Sequence, residues 1–99
     1  MHDRARPGAE TPTLLSIVIP VLNEAENVEA LAREVRAALR QHGPFEVIFV
    51  DDASTDRTAE NILALRQSEA PEIRLLRHPV RCGQSIAVWN GVKAARAEW

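Results

Sequence analysis

Three short apolar runs alternate with helical patterns along this chain. Leu14 to Val21 is almost continuously apolar, the pattern of a strand covered on both faces. Pro20 cannot donate a ladder hydrogen bond, so it belongs at that strand's end. Val28, Leu31, Val35 and Leu39 then recur at helical spacing, and Gly43 and Pro44 stop the pattern. Asn23, with Glu26 three residues on, predicts an N-cap and a capping-box-like start to this helix. Phe45 to Val50 is the second apolar run. Ser54 to Asp56 offer several caps for a second helix with Ile62, Leu65 and Leu63 on its apolar stripe, and Pro71 closes the connection. Ile73 to Leu76 reads as a short third strand. A loop from Arg77 to Gly83 leads into a third helix, with Val88, Trp89, Val92 and Ala95 expected to be buried.

The order β-α-β-α-β-α predicts an α/β fold with a parallel sheet and right-handed crossovers. At 99 residues the chain is one domain at most. Residues 1–13 are polar, contain Pro7 and Pro12, and read as a disordered tail; residues 14–99 carry the fold. No internal repeat or low-complexity tract interrupts them.

Charge and composition narrow the function classes. A formal net charge of −2 with scattered basic residues gives no nucleic-acid signature. No run approaches the ~20 apolar residues of a membrane span, and the N-terminus lacks an apolar signal core. The single cysteine, Cys82, excludes a disulfide within one chain, which fits a cytoplasmic setting. As a nucleophile Cys82 would need an oriented base. His78 is near in sequence, but nothing in the pattern orients it.

Ligands of open parallel sheets bind outside the carboxyl ends of the strands. Three groups of polar residues fall there. The first is Pro20, Asn23 and Glu24 after strand one; helix capping alone also explains it. The second is Asp51, Asp52, Ser54, Asp56 and Thr58 after strand two. One residue suffices for a cap there, but adjacent carboxylates must find donors or a cation. The third is Arg77, Arg81, Gly83, Gln84 and Ser85. Two arginines and a helix N-terminus can hold a diphosphate, although an exposed, solvated loop has the same composition.

The segments Ser16 to Glu24, Val50 to Thr58 and Gly83 to Gly91 resemble the N-terminal part of family-2 glycosyltransferases with the GT-A fold. The branch resembled includes dolichol-phosphate mannosyltransferases and bacterial polyprenyl-phosphate glycosyltransferases. The resemblance implies a Rossmann-like half of a GT-A fold that binds a UDP- or GDP-sugar. Pro20, Val21, Asn23, Glu24 and Ser54 would belong to the nucleotide-sugar site. Asp51 and Asp52 would contact base and ribose, and Gly83 and Gln84 would lie by the nucleotide. Ser85 and Ala87 fall where the family often has small residues, and Asn90-Gly91 matches a common pair. Many relatives have Asn at the position of His78 and Gly at that of Ser85.

The resemblance also implies a divalent metal, Mg²⁺ or Mn²⁺, held by an Asp-x-Asp motif after the next strand. That motif, the catalytic residues and the acceptor side are expected beyond Trp99. The expectation is therefore a fragment, ending before a fourth strand, that holds no metal and transfers weakly or not at all alone. The implied partners are a nucleotide-sugar donor and a lipid-phosphate acceptor at the cytoplasmic membrane face. A second copy of the chain is a further expected partner, because the edge of strand one would be open and apolar.

Other readings remain beside this one. A binding-only fragment keeps the fold without catalysis. A receiver-like signalling domain also has an acid pair, but after its first strand. A dinucleotide-binding half would need Gly-x-Gly-x-x-Gly where this chain has Pro20 to Glu24, and is rejected.

Overall fold

A computed structural model of the chain describes residues 15–96. The expected tail, the first strand residue Leu14 and Trp99 lie outside the described residues. The elements are β1 (Leu15–Val21), α1 (Val28–Leu39), a 3-10 turn (Arg40–His42), β2 (Phe45–Asp51), α2 (Thr58–Ser68), β3 (Ile73–Arg77) and α3 (Gln84–Ala94). The strands form one parallel sheet in the order β1-β2-β3. Ile17 pairs with Val47, and Val47 with Ile73. The backbone pairing extends past the strands: Asp52 N–H donates to Val21 C=O at 3.0 Å and His78 N–H to Asp51 C=O at 2.9 Å.

β2 is central and is buried from Glu46 to Asp51. Its alternate residues face two separate cores. Val47 and Phe49, with Val21 and Ile73, pack under α1 and α2 through Val28, Ala32, Ile62 and Leu65. Ile48 and Val50 pack with Ala87 of α3 on the other face, flanked by Val18 and Leu76. Each fully buried aliphatic or aromatic side chain contributes about 1.5–3 kcal/mol relative to exposure. Arg36 fastens α1 to the far end of α2: its Nη2 donates to Glu69 C=O at 2.9 Å and its Nε to the Glu72 carboxylate.

Two expectations are corrected. Asn23 does not cap α1, which begins at Val28 and whose Asn27 cap position makes no side-chain capping bond. The turn before it is closed instead by Asn27 and Val28 N–H groups donating to Glu24 C=O, each at 2.9 Å. Val88 and Trp89 are exposed, as is Leu63 of α2. The sheet-facing positions of α3 are Ala87 and Gly91. Small residues are needed there because the helix backbone approaches the sheet closely. A Cβ built on Gly91 would sit 2.3 Å from Val18 Cγ1 and 3.0 Å from Val50 Cγ2.

A buried carboxylate anchors the C-terminal end of α3. Glu46 accepts from Ser16 Oγ at 2.6 Å, Arg74 Nη1 at 2.9 Å and Arg96 N–H at 2.6 Å. Arg74 Nη1 also donates to Ala94 C=O at 2.7 Å. Burial pushes the Glu46 carboxyl up, but the bonds from Ser16, Arg96 and Arg74 together outweigh it and hold it below the ordinary value.

The Gly91 contact yields a direct test. Gly91→Ala is expected to lower stability by about 1–3 kcal/mol through overpacking, read from urea unfolding midpoints. In the double variant with Val18→Ala, part of that loss should return, because the clash is with the Val18 side chain. An additive loss would show that the space at Gly91 is not set by Val18.

Candidate functional site

The loops after β1 and β2 are fastened to each other. Asn23 lies at φ 54°, a left-handed conformation that turns its side chain away from α1. Its N–H donates to Ser54 Oγ at 2.8 Å, and its Oδ1 accepts from Thr55 N–H at 2.8 Å. Glu24 N–H donates to the buried Thr58 Oγ1 at 2.9 Å, and Ala25 N–H to Asp56 Oδ2 at 3.2 Å. Asp56 Oδ1 also accepts the Thr58 N–H at 3.0 Å, while the cap position of α2 is Arg57, outside the expected Ser54 to Asp56, and makes no side-chain capping bond. The Thr58 hydroxyl bond is the main reason the Asp56 carboxyl lies below its usual range.

The two adjacent acids separate because successive strand positions point to opposite faces. Asp51 is fully buried; its Oδ1 accepts Ser54 N–H at 3.1 Å. Its Oδ2 has no hydrogen-bond partner and lies 3.5 Å from Arg77 Nε. Asp52 points to the α3 side. Its Oδ1 accepts from Cys82 N–H at 2.8 Å and meets His78 Nδ1 at 2.9 Å, while its Oδ2 accepts Gly83 N–H at 2.9 Å. The parallel register accounts for the pairing: Asp51 lies opposite Arg77, so the next positions, Asp52 and His78, share a face.

His78 Nε2 lies 2.9 Å from Asn90 Nδ2. With the amide donating there, Nδ1 is the ring nitrogen that donates to Asp52. The His78 bond is the largest reason the Asp52 carboxyl is lowered from 3.8 to about 2; the Cys82 and Gly83 N–H groups add to it, against a smaller cost of burial. Asp52 is therefore ionised at neutral pH.

A cleft of about 320 Å³ opens beyond the carboxyl ends of β1 and β2. Pro20, Val21, Leu22 and Glu24 line one side, and Asp52, Arg81, Gly83 and Gln84 the other. Of the residues expected from sequence, Asn23, Asp51 and Ser54 do not line it; they build the loops beneath it. No side chain caps α3, so the N–H groups of its first turn remain available at the mouth. Arg77 lies apart, beside a second hollow lined by Ala53, Ser54, Thr55, His78 and Pro79.

His78 and Asn90 were not read from sequence as parts of one site. The register of β2 with β3 is the signal that would have paired His78 with Asp52. Asn90 needs the face that α3 presents to the sheet.

A parallel α/β sheet with a polar cleft across its strand ends is the class of fold in which ligands sit outside the carboxyl ends of the strands. The comparisons make that class specific. Residues 16–99 match the family described as glycosyl transferase family 2, and the chain belongs to that family. It is 35% identical over 86 residues to an undecaprenyl-phosphate 4-deoxy-4-formamido-L-arabinose transferase of Pseudomonas paraeruginosa, covering 86% of this chain and 25% of that protein. A dodecaprenyl-phosphate galacturonate synthase of Rhizobium johnstonii is 35% identical over 83 residues, covering 83% of this chain and 25% of that protein. The chain thus spans about a quarter of the length of the curated relatives it matches. Among solved structures, a mannosyltransferase from Pyrobaculum calidifontis, in complex with GDP-Man and Mn²⁺, superposes with a TM-score of 0.69 at 24% identity, over 85% of this chain and 25% of that one. That likeness supports the fold, a Rossmann-like half of a GT-A glycosyltransferase. Among the described residues no helix is long and apolar enough to cross a membrane.

The Mg²⁺ or Mn²⁺ that the resemblance implies takes an all-oxygen shell. Asp51 and Asp52 do not fit it. They face opposite ways, the side chains beside Asp52 are an imidazole and a thiol rather than oxygen ligands, and Asp51 Oδ2 lies nearest a guanidinium.

The Asp52 bonds are pH-sensitive with a definite sign. Its folded pKa is depressed, so its contribution is present above the ordinary value of 3.8 and is lost as pH falls toward about 2. The Cys82 and Gly83 amide protons, followed by NMR, should lose their hydrogen-bonded shifts across that window. His78→Ala should move the change to higher pH. An unchanged midpoint in that variant would contradict the assigned role of His78.

Proposed function

We propose that this chain forms the donor-binding half of a glycosyltransferase that moves a sugar from a nucleoside-diphosphate sugar to a polyprenyl phosphate. The observation that carries this reading is the cleft between Pro20–Glu24 and Arg81–Gln84, with an ionised carboxylate in its wall. The family match and the polyprenyl-phosphate relatives support the reaction class.

Each wall has a chemical task. A carboxylate has about four acceptor sites, and three of those on Asp52 are taken by His78, Cys82 and Gly83. The fourth accepts a ring N–H of uracil or guanine. Pro20, Val21 and Leu22 give the base an apolar surface. Arg81 and the uncapped start of α3 face the diphosphate, whose charge suits both a guanidinium and a helix N-terminus. Gly83, at φ 93°, lets the backbone turn into α3 in a conformation that other residues rarely adopt. Asn23, Asp51 and Ser54 serve the site by holding the β1 and β2 loops in place. With a lipid-phosphate acceptor, the reaction belongs at the cytoplasmic face of a membrane.

Calorimetric titration with UDP and with GDP, each with and without Mn²⁺, tests this. One nucleotide should bind, and Asp52→Asn should weaken it at least tenfold, because the amide loses the charge and turns a donor toward N–H groups. Binding that ignores Mn²⁺ favours the second reading, a nucleotide-binding unit without transfer. If neither nucleotide binds to the folded chain, the donor-site reading fails for this chain.

A further inference from the structure

We propose that Asp52, His78 and Cys82 form a binding site for a zinc-class divalent ion, distinct from the Mg²⁺ or Mn²⁺ expected on a nucleotide diphosphate. Asp52 directly follows β2, and His78 and Cys82 stand four residues apart in the loop between β3 and α3. One carboxylate oxygen, one imidazole nitrogen and the thiol sulfur lie within 4.8 Å of one another. Ligand atoms around one tetrahedral zinc stand roughly 3–4 Å apart, given metal–ligand lengths of about 2.0–2.3 Å, so sub-ångström to ångström adjustments close the site.

Three features point to a metal rather than to a chance meeting. Asp52 and His78 are nearly buried and already in contact, with Nδ1 and Oδ1 2.9 Å apart. The Cys82 backbone is tied to the same oxygen at 2.8 Å, which keeps its side chain beside the pair. The far side of the imidazole meets the Asn90 amide, which after a half-turn would accept from Nε2–H as the outer partners of metal-bound histidines do. Cys82 itself is exposed, and its thiol donates only a long 3.4 Å bond to Val80 C=O, so it can turn without breaking a buried contact. An oxygen, nitrogen and sulfur set suits Zn²⁺ or Co²⁺ and is wrong for Mg²⁺. Three protein ligands leave a fourth position for water or an anionic oxygen.

The protons balance as follows. The Cys82 thiol releases one proton to solvent on becoming the thiolate ligand. The His78 proton leaves Nδ1 and is taken up at Nε2, so the imidazole stays neutral. A half-turn of the Asn90 amide then presents its oxygen to Nε2–H. Binding releases one proton per ion and strengthens as pH rises.

Cobalt titration of the metal-free full chain, in a thiol-free reductant, reads the site directly. Cys82 is the single cysteine of the chain, so sulfur-to-cobalt charge-transfer absorption reports that residue alone. The expected result is an end point of one Co²⁺ per chain, displaced by Zn²⁺ and unaffected by excess Mg²⁺. Cys82→Ser should abolish the charge-transfer band. His78→Gln, which keeps a hydrogen-bond donor for Asp52 but removes the ring, and Asn90→Ala should each weaken binding about tenfold or more. Circular dichroism verifies that each variant is folded. No band with the folded chain would overturn the proposal. So would a band that survives His78→Gln at full strength, or an end point of one ion per two chains, since either means that Cys82 binds alone or between copies. None of these readouts requires a nucleotide, so the outcome is independent of the donor-site reading.

Discussion

The ionised carboxylate of Asp52 is the group on which the geometry of the cleft depends. It gathers a side chain after β3 and two backbone N–H groups at the start of α3. Without it, the Cys82 and Gly83 N–H groups would lose their acceptor. The carboxyl is held down to about 2, so the acceptor is fully charged wherever the protein works near neutrality. That charge faces the N-terminus of α3, where the aligned peptide dipoles favour it further.

Much of this was legible in the sequence because apolar runs of strand length announce themselves, although only β2 is buried along nearly its whole length and β1 and β3 are mostly half-buried. The runs ending at Val21 and at Val50-Asp51, and the short run from Ile73, became β1, β2 and β3. Parallel pairing followed from the intervening helices. The family, too, was visible in three short segments. Polar loops were harder, because a cap residue has several N–H groups within reach and sequence does not choose among them. Asn23 illustrates this: its positive φ sends its amide to Thr55, thirty-two residues away, rather than to α1.

The stripe on α3 was misread for a different reason. Large apolar residues usually face the core, and Val88 and Trp89 are large. The sheet surface at Val18 and Val50 leaves room only for a glycine, so Gly91 and Ala87 decide which side of α3 turns inward. The adjacent acids were misleading in a similar way. Neighbours in sequence, they are divided by the pleat, and the partner of Asp52 is His78, twenty-six residues on.

β2 also sets the position of α3 along the sheet. Glu46 in β2 and Asp52 just past its end are six residues apart on the same face, one near each end of α3. Six residues of strand span about 20 Å, and the eleven residues of α3 span about 16 Å. The remainder is taken up by Gly83 at one end and by Ala95 and Arg96 at the other, where Arg96 N–H reaches Glu46 and Arg74 bridges Glu46 to Ala94 C=O. With both ends tied to one strand and Gly91 seated on Val18 and Val50 between them, α3 has little freedom to slide or lift. The loops after β1 and β2 are independently locked through Asn23, Ser54 and Thr58. The two walls of the cleft are therefore each fixed to the same central strand, and its width follows from strand geometry rather than from a ligand. A site preorganised in this way spends little of its binding energy on ordering loops.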